Sequence, residues 1–165
     1  MANFSFDIVN EIDKAELNNV FDQVKRDIAS RYDFKDSLAA IEWLDDNKTG
    51  FKLTASNDYQ IDAIIDIIRK KLSLRGQSQK LIDESGGRIK ANLKVTFDLP
   101  FKQGLDQPKT KALGALIRDH FPKLKTVIQG DSLRVSGPSK NDLQAAMSLI
   151  KGQPLDYPLQ FINFR

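Results

Sequence analysis

The sequence predicts an α+β protein made of two strand-helix-strand-strand-helix-strand units, each an antiparallel four-stranded sheet with its helices on one face. Three observations carry this. Residues 88–97 alternate without a break, Ile89, Ala91, Leu93, Val95 and Phe97 against Arg88, Lys90, Asn92, Lys94 and Thr96, the period of a half-buried strand. The order of periodic segments before that stretch returns after it. The second helix of each half also shares a register, Ile61, Ile64, Ile65 and Ile68 matching Leu143, Ala146, Met147 and Ile150.

The elements follow in order. Phe4 to Val9 is a short strand with Phe4, Phe6 and Ile8 on one face. Asp13 and Glu16 suit a helix start, and Leu17, Val20, Phe21, Val24 and Ile28 recur at helical spacing. Leu38 to Leu44 is a strand, Asp45 to Gly50 a polar turn, and Phe51, Leu53 and Ala55 the buried side of the next strand. Ser56 and Asn57 are cap candidates for a helix through Leu72, whose cationic end suits the helix dipole. Gln79 to Asp83 is read as a strand, joined through Ser85, Gly86 and Gly87 to the 88–97 strand in a hairpin.

In the second half, Pro100 ends the strand and a helix runs from about Asp106 or Pro108 to Phe121, stopped by Pro122. Lys125 to Gln129 and Ser132 to Ser136 are strands joined by Gly130 and Asp131. Ser139 and Asp142 cap the last helix, Gly152 ends it, and Leu159 to Arg165 closes the chain as a strand.

The central turn is short for an interdomain linker, which favours placing the 88–97 strand in the first-strand position of the first unit over the alternative of two sequential units joined by that turn. Phe4 to Val9 is then left to pair with the C-terminal strand. The expected domains are 12–99, completed by strand 88–97, and 1–11 plus 100–165, with first strands exchanged.

Composition bounds the function. The chain has 165 residues, 41% of them hydrophobic and 28% charged, in the range of folded globular proteins. Apolar runs fall short of the ~18–20 residues of a membrane span, and Met1 to Asp7 lacks the marks of a signal peptide, so a cytoplasmic, non-membrane protein is expected. There is no cysteine and one histidine, which leaves no zinc cage. His120 reads as a helix-terminal residue favoured by the dipole rather than a general base. Asp45 and Asp46 are ordinary turn residues, and no phosphate-binding glycine loop or dinucleotide fingerprint is present. No catalysis and no cofactor are expected.

The net charge of +3 permits an anionic partner without requiring one. The uncovered sheet faces are the candidates: Lys52, Lys90, Asn92 and Lys94 with Thr54 in the first unit, and Arg134 and Gln160 with Gln129 or Ile128 in the second. Such faces bind RNA when aromatics stack on bases, but Phe51 to Ala55 reads FKLTA and lacks that signature. The cations suit phosphate contacts; a solvated basic face is the plain alternative. Ser139 and Lys140, at the start of the last helix, offer a phosphate seat.

The stretches FDIV (Phe6–Val9), SRYDFK (Ser30–Lys35), KQGL (Lys102–Leu105), QGDSLRVSGPSKNDLQ (Gln129–Gln144) and PLQFINFR (Pro158–Arg165) closely resemble the YajQ family of bacterial nucleotide-binding proteins, over essentially the whole chain. Tyr32 stands where phenylalanine is usual. The resemblance implies two ferredoxin-like domains with exchanged N-terminal strands. It also implies binding of a nucleotide (cyclic di-GMP, GTP or ATP) or RNA, and, for some members, action with a transcription regulator. Arg31, Lys102 and Gln103 lie in the matching stretches near domain junctions, which makes an interdomain groove a second candidate site. Two function classes stand: a non-catalytic nucleotide- or nucleic-acid-binding protein, and a protein-protein adaptor for which nucleotide is only an effector.

Overall fold

A computed structural model describes residues 3–165. Its strands and helices are β1 (Phe4–Val9), α1 (Lys14–Ser30), β2 (Ala40–Trp43), β3 (Gly50–Ala55), α2 (Asp58–Leu74), β4 (Ile89–Ala91), β5 (Lys94–Pro100), α3 (Gln107–His120), β6 (Lys125–Gln129), β7 (Ser132–Gly137), α4 (Lys140–Lys151) and β8 (Gln160–Ile162). The architecture is α+β, with two four-stranded antiparallel sheets and four helices, as in two ferredoxin-like domains. The chain divides into one unit of residues 12–102 and another of 1–11 with 103–165.

All four helices begin on a side chain that accepts a backbone N–H three residues on: Asp13 from Glu16, Asn57 from Gln60, Asp106 from Lys109 and Ser139 from Asp142. Each cap satisfies one of the donors a helix start leaves open.

In the 12–102 unit the sheet order is β2-β3-β5-β4. Its core packs Leu17, Val20 and Val24 of α1 and Ile61, Ile64 and Ile68 of α2 onto Phe51, Leu53, Val95, Phe97 and Leu99. Gly50 permits the close approach of β3 and β5: a Cβ there would lie 2.5 Å from the Leu99 carbonyl oxygen. In the other unit the order is β6-β7-β1-β8, and Phe6, Ile8, Leu113, Ile117, Leu133, Val135 and Leu143 form the core. β8 pairs with β1 from Gln160 to Ile162, and the pairing resumes at Arg165 after Asn163 takes a φ of 57°. That residue makes the closing strand shorter than the 159–165 expectation, with a one-residue bulge.

Two expectations at the centre of the chain are corrected. Gln79 to Asp83 is not a strand: Gln79–Leu81 is a 3-10 turn, and only Ile82 bridges to Phe101. Residues 88–97 are not one strand either. They reverse at Asn92 and Leu93, which take φ values of 53° and 63°, and Ala91 pairs with Lys94. Both central residues at positive φ define the turn that matches hairpin twist. The alternation runs through this reversal, so sequence parity and facing part company. Val95 and Phe97 are buried, but Leu93 is 92% exposed and Ile89 66% exposed.

Candidate functional site

The hairpin register redistributes the sheet-face cations. Lys90 pairs with Val95, whose side chain is in the core, so Lys90 points to the helical side. Its Nζ lies 2.6 Å from Asp58 Oδ2 at the start of α2. Arg88 joins it, 3.1 Å from Asp58 and also paired with Asp62. Lys90, then Arg88, holds the Asp58 carboxyl below the usual range. The expectation that Lys52, Lys90 and Lys94 share one open face is therefore corrected: only Lys52 and Lys94 do. That face is also less basic than expected. Glu42 and Asp98 stand opposite Lys52 on its two neighbouring strands, and the remaining positions are Thr54, Thr96, Ala40, Ile89 and Ala91. Its net charge is balanced, and it offers no aromatic ring for a base.

On the other sheet, Val127 shares a face with Arg134 and Ile128 with buried Leu133, so the open-face residue beyond them is Gln129. Arg134 donates to Asp7 through Nε (2.8 Å) and an NH2 group (3.2 Å). Asn163 adds a third hydrogen bond to the same carboxylate at 2.8 Å. Arg134, followed by Asn163, lowers the pKa of this buried carboxyl against the opposing effect of burial. Arg134 thus has a partner built into the sheet. Gln160 accepts from the Glu11 backbone. Ser139 is the N-cap of α4, with exposed Lys140 beside it. The Lys102 N–H bonds the Leu81 carbonyl at 2.7 Å, and Gln103 is an exposed loop residue. His120 donates from Nδ1 to the Leu116 carbonyl (3.1 Å) at the end of α3. Among the described residues no group of His, Asp and Glu is arranged to hold a metal ion.

Two cavities of the 12–102 unit gather site residues expected from the sequence. One, of about 430 Å³, brings Lys90, Asn92 and Lys94 together with Leu93 against Ser56, Asn57 and Asp58. The larger, about 600 Å³, lies between the end of α1 and β2. Ile28, Phe34 and Ile41 give it apolar walls, and Lys25, Arg31 and Lys35 bring cations. Tyr32 lines it with a side chain that is 88% exposed. Arg31 lies over the Phe34 ring at 4.7 Å and is held by both oxygens of Asp33. The cation pulls the Asp33 carboxyl down, and Asp33 pushes the guanidinium up.

The family model described as "Nucleotide-binding protein YajQ-like" matches residues 4–165. The chain belongs to that family. A relative named nucleotide-binding protein from Clavibacter michiganensis subsp. michiganensis is 39% identical over 166 residues, covering 100% of both chains. One of the same name from a Nocardioides species is 40% identical, also over 100% of both. A third, from a Synechococcus species, is 39% identical over 99% of both. Among the described residues no helix is long and apolar enough to cross a membrane.

Of the stretches that carry the YajQ-like resemblance, Ser30–Lys35 lines a cavity with both a ring and cations. Sequence reasoning selected Arg31 from it and did not select Tyr32, Lys35 or Lys25, which line the same cavity. The available signal was an aromatic between two cations immediately after an amphipathic helix.

Proposed function

We propose that this chain is a non-catalytic nucleotide-binding protein whose ligand sits in the cavity between α1 and β2. The observation that carries the reading is the exposed Tyr32 ring on a cavity that also gathers Arg31, Lys35 and Lys25. A base needs a flat surface and phosphates need cations, and this cavity has both. Family membership and the names of the relatives support the class of ligand. Lys35 has no ion pair among the described residues, and Arg31 can divide its donors between Asp33 and a phosphate. A ligand with two phosphates, such as cyclic di-GMP, suits three spaced cations better than a nucleoside does. A receptor role in gene regulation, with a transcription regulator as partner, is the physiological extension of that reading. GTP, ATP and single-stranded RNA are the other ligands of the same chemistry.

The hairpin cavity is the second reading, because it collects three of the sequence candidates, Lys90, Asn92 and Lys94. A thermal-shift panel of cyclic di-GMP, GTP, ATP and a short RNA identifies the ligand. Titration calorimetry then compares Tyr32→Ala and Lys35→Ala with Lys90→Ala/Lys94→Ala. Stacking is worth ~1–3 kcal/mol per base, so Tyr32→Ala should weaken binding roughly five- to 150-fold. Lost binding in the double variant, with Tyr32→Ala unchanged, moves the site to the hairpin. A ligand that binds all variants equally refutes both locations.

A further inference from the structure

Each four-stranded sheet has two edge strands, and an edge strand presents a row of unpaired backbone groups. Three of the four edges are blunted. β4 and β8 are three residues each, and β4 carries Lys90 at its middle. β2 carries the charged Glu42, and the outward N–H of Ala39 just before it is taken by its own neighbour, Ser37 Oγ, at 3.2 Å. β6 is not blunted. It is five residues long, and Thr126, Val127 and Ile128 between its ends carry no charge. Val127 is 52% exposed and Ile128 43%.

The pairing parity shows which groups are open. Gln129 and Ser132 flank the two-residue turn, so they form a hydrogen-bonded pair, as do Val127 with Arg134 and Lys125 with Ser136. The same alternation carried across β7 and β1 turns Ser5 toward β8, and Ser5 does exchange bonds with Arg165, at 3.2 and 3.0 Å. Thr126 and Ile128 therefore direct N–H and C=O away from β7, where neither has a backbone partner among the described residues.

We propose that β6 is a self-complementary edge on which a second copy of this chain docks antiparallel, about a two-fold axis at Val127. In that register Thr126 of each copy lies opposite Ile128 of the other, and their open groups form four hydrogen bonds. Val127 meets its own counterpart in the close, non-hydrogen-bonded pair, where an apolar contact is favoured. Lys125 lies opposite the uncharged Gln129. No like charges meet. An isologous contact of this kind closes at two copies and joins the two four-stranded sheets into one. A contact made by one strand buries little area, so the dimer is concentration-dependent rather than obligate.

Sedimentation velocity of the full chain over a concentration series tests this. The wild type should show a reversible monomer-dimer equilibrium. Val127→Lys puts two cations together at the axis and should raise the dissociation constant about tenfold or more. Ile128→Pro removes an outward N–H that β6 does not use within its own sheet and should also weaken the dimer. Unchanged circular dichroism of the variants confirms that the monomer is intact. A wild type that stays monomeric up to about 1 mM, the weak end of specific association, overturns the proposal and leaves the edge to some other partner. A dimer that tolerates Val127→Lys or Ile128→Pro overturns it as well.

Discussion

Phe6→Ala is the most direct probe of how β1 is used. Phe6 is fully buried in the unit formed by residues 1–11 and 103–165. Its ring meets Phe161 edge-on at a centroid distance of 5.7 Å and stacks on Phe164 at 6.3 Å. β1 lies between β7 and β8, so the vacated volume opens against strands from the far end of the chain. Burial of a whole ring places the cost at ~3–5 kcal/mol. Domains of this size have net stabilities of ~5–15 kcal/mol, so this is a large share of the total. The assay is hydrogen exchange resolved by segment, with urea denaturation of the whole chain beside it. Amides in 103–165 should lose about 10²–10⁴ of their protection, and those in 12–102 should change less. Deleting residues 1–11 is the companion experiment for the strand exchange inferred from sequence. Loss of protection confined to 12–102 in either variant would refute the reasoning.

Other tests follow from single contacts. Asp7→Asn removes a buried carboxylate that accepts three hydrogen bonds and should cost ~2–4 kcal/mol in denaturant titrations. The Asp7 pKa is lowered on folding. Its contribution is therefore complete above the unfolded carboxyl value of ~3.9 and is lost as pH falls through the lower folded value. Acid titration of Asp7→Asn should show that much less slope, and an unchanged slope would contradict the assignment. Leu93→Ala should shift stability by under ~0.5 kcal/mol because the side chain is in solvent; a loss above ~2 kcal/mol would restore a buried 88–97 strand. Gly50→Ala should destabilise the β3–β5 pairing, since the added carbon meets backbone at 2.5 Å, and unchanged melting would show that the strands can separate freely.

Much of the fold was legible because burial imposes a period. The apolar stripes of α1, α2, α3 and α4 and their capping residues mark those helices directly in the sequence. The Gly130–Asp131 turn likewise announces the β6–β7 hairpin. The stretch from 79 to 97 was not legible. Its turn uses Asn92 and Leu93 without glycine, and leucine at φ 63° gives no sequence signal for a reversal. A two-residue turn puts residues three apart, Ala91 and Lys94, on the same face. A strict period of two across residues 88–97 therefore assigns Ile89 and Lys90 to the wrong faces. The neighbours of Lys52 were invisible for a related reason. Glu42 and Asp98 become adjacent to it only through the registers β2–β3 and β3–β5, which no local pattern specifies.

The same registers favour the α1 cavity over the hairpin cavity as the proposed site. An anion at the start of a helix is favoured by open N–H groups and the dipole. At α2 that position is already filled from within the chain. Asn57 accepts the Gln60 N–H, and the Asp58 carboxylate supplies the negative charge, binding Lys90 and Arg88. An incoming phosphate would have to displace Asp58 from two cations. At the end of α1 the competition is smaller. Asp33 engages Arg31, but Lys35 and Lys25 have no carboxylate partner among the described residues. Lys25 rests instead near the Phe21 ring at 6.0 Å, a contact it can leave at little cost. The two cavities also lie at one end of the 12–102 unit, because the Leu38 N–H, next to Ala39 in the wall of the α1 cavity, bonds Ser56 Oγ in the wall of the hairpin cavity at 3.1 Å. A mononucleotide should therefore respond to substitutions in the α1 cavity and not to Lys94→Ala. A longer RNA strand anchored at Tyr32 has Lys94 within the same end of the unit, and its affinity should fall with Lys94→Ala and more steeply with salt.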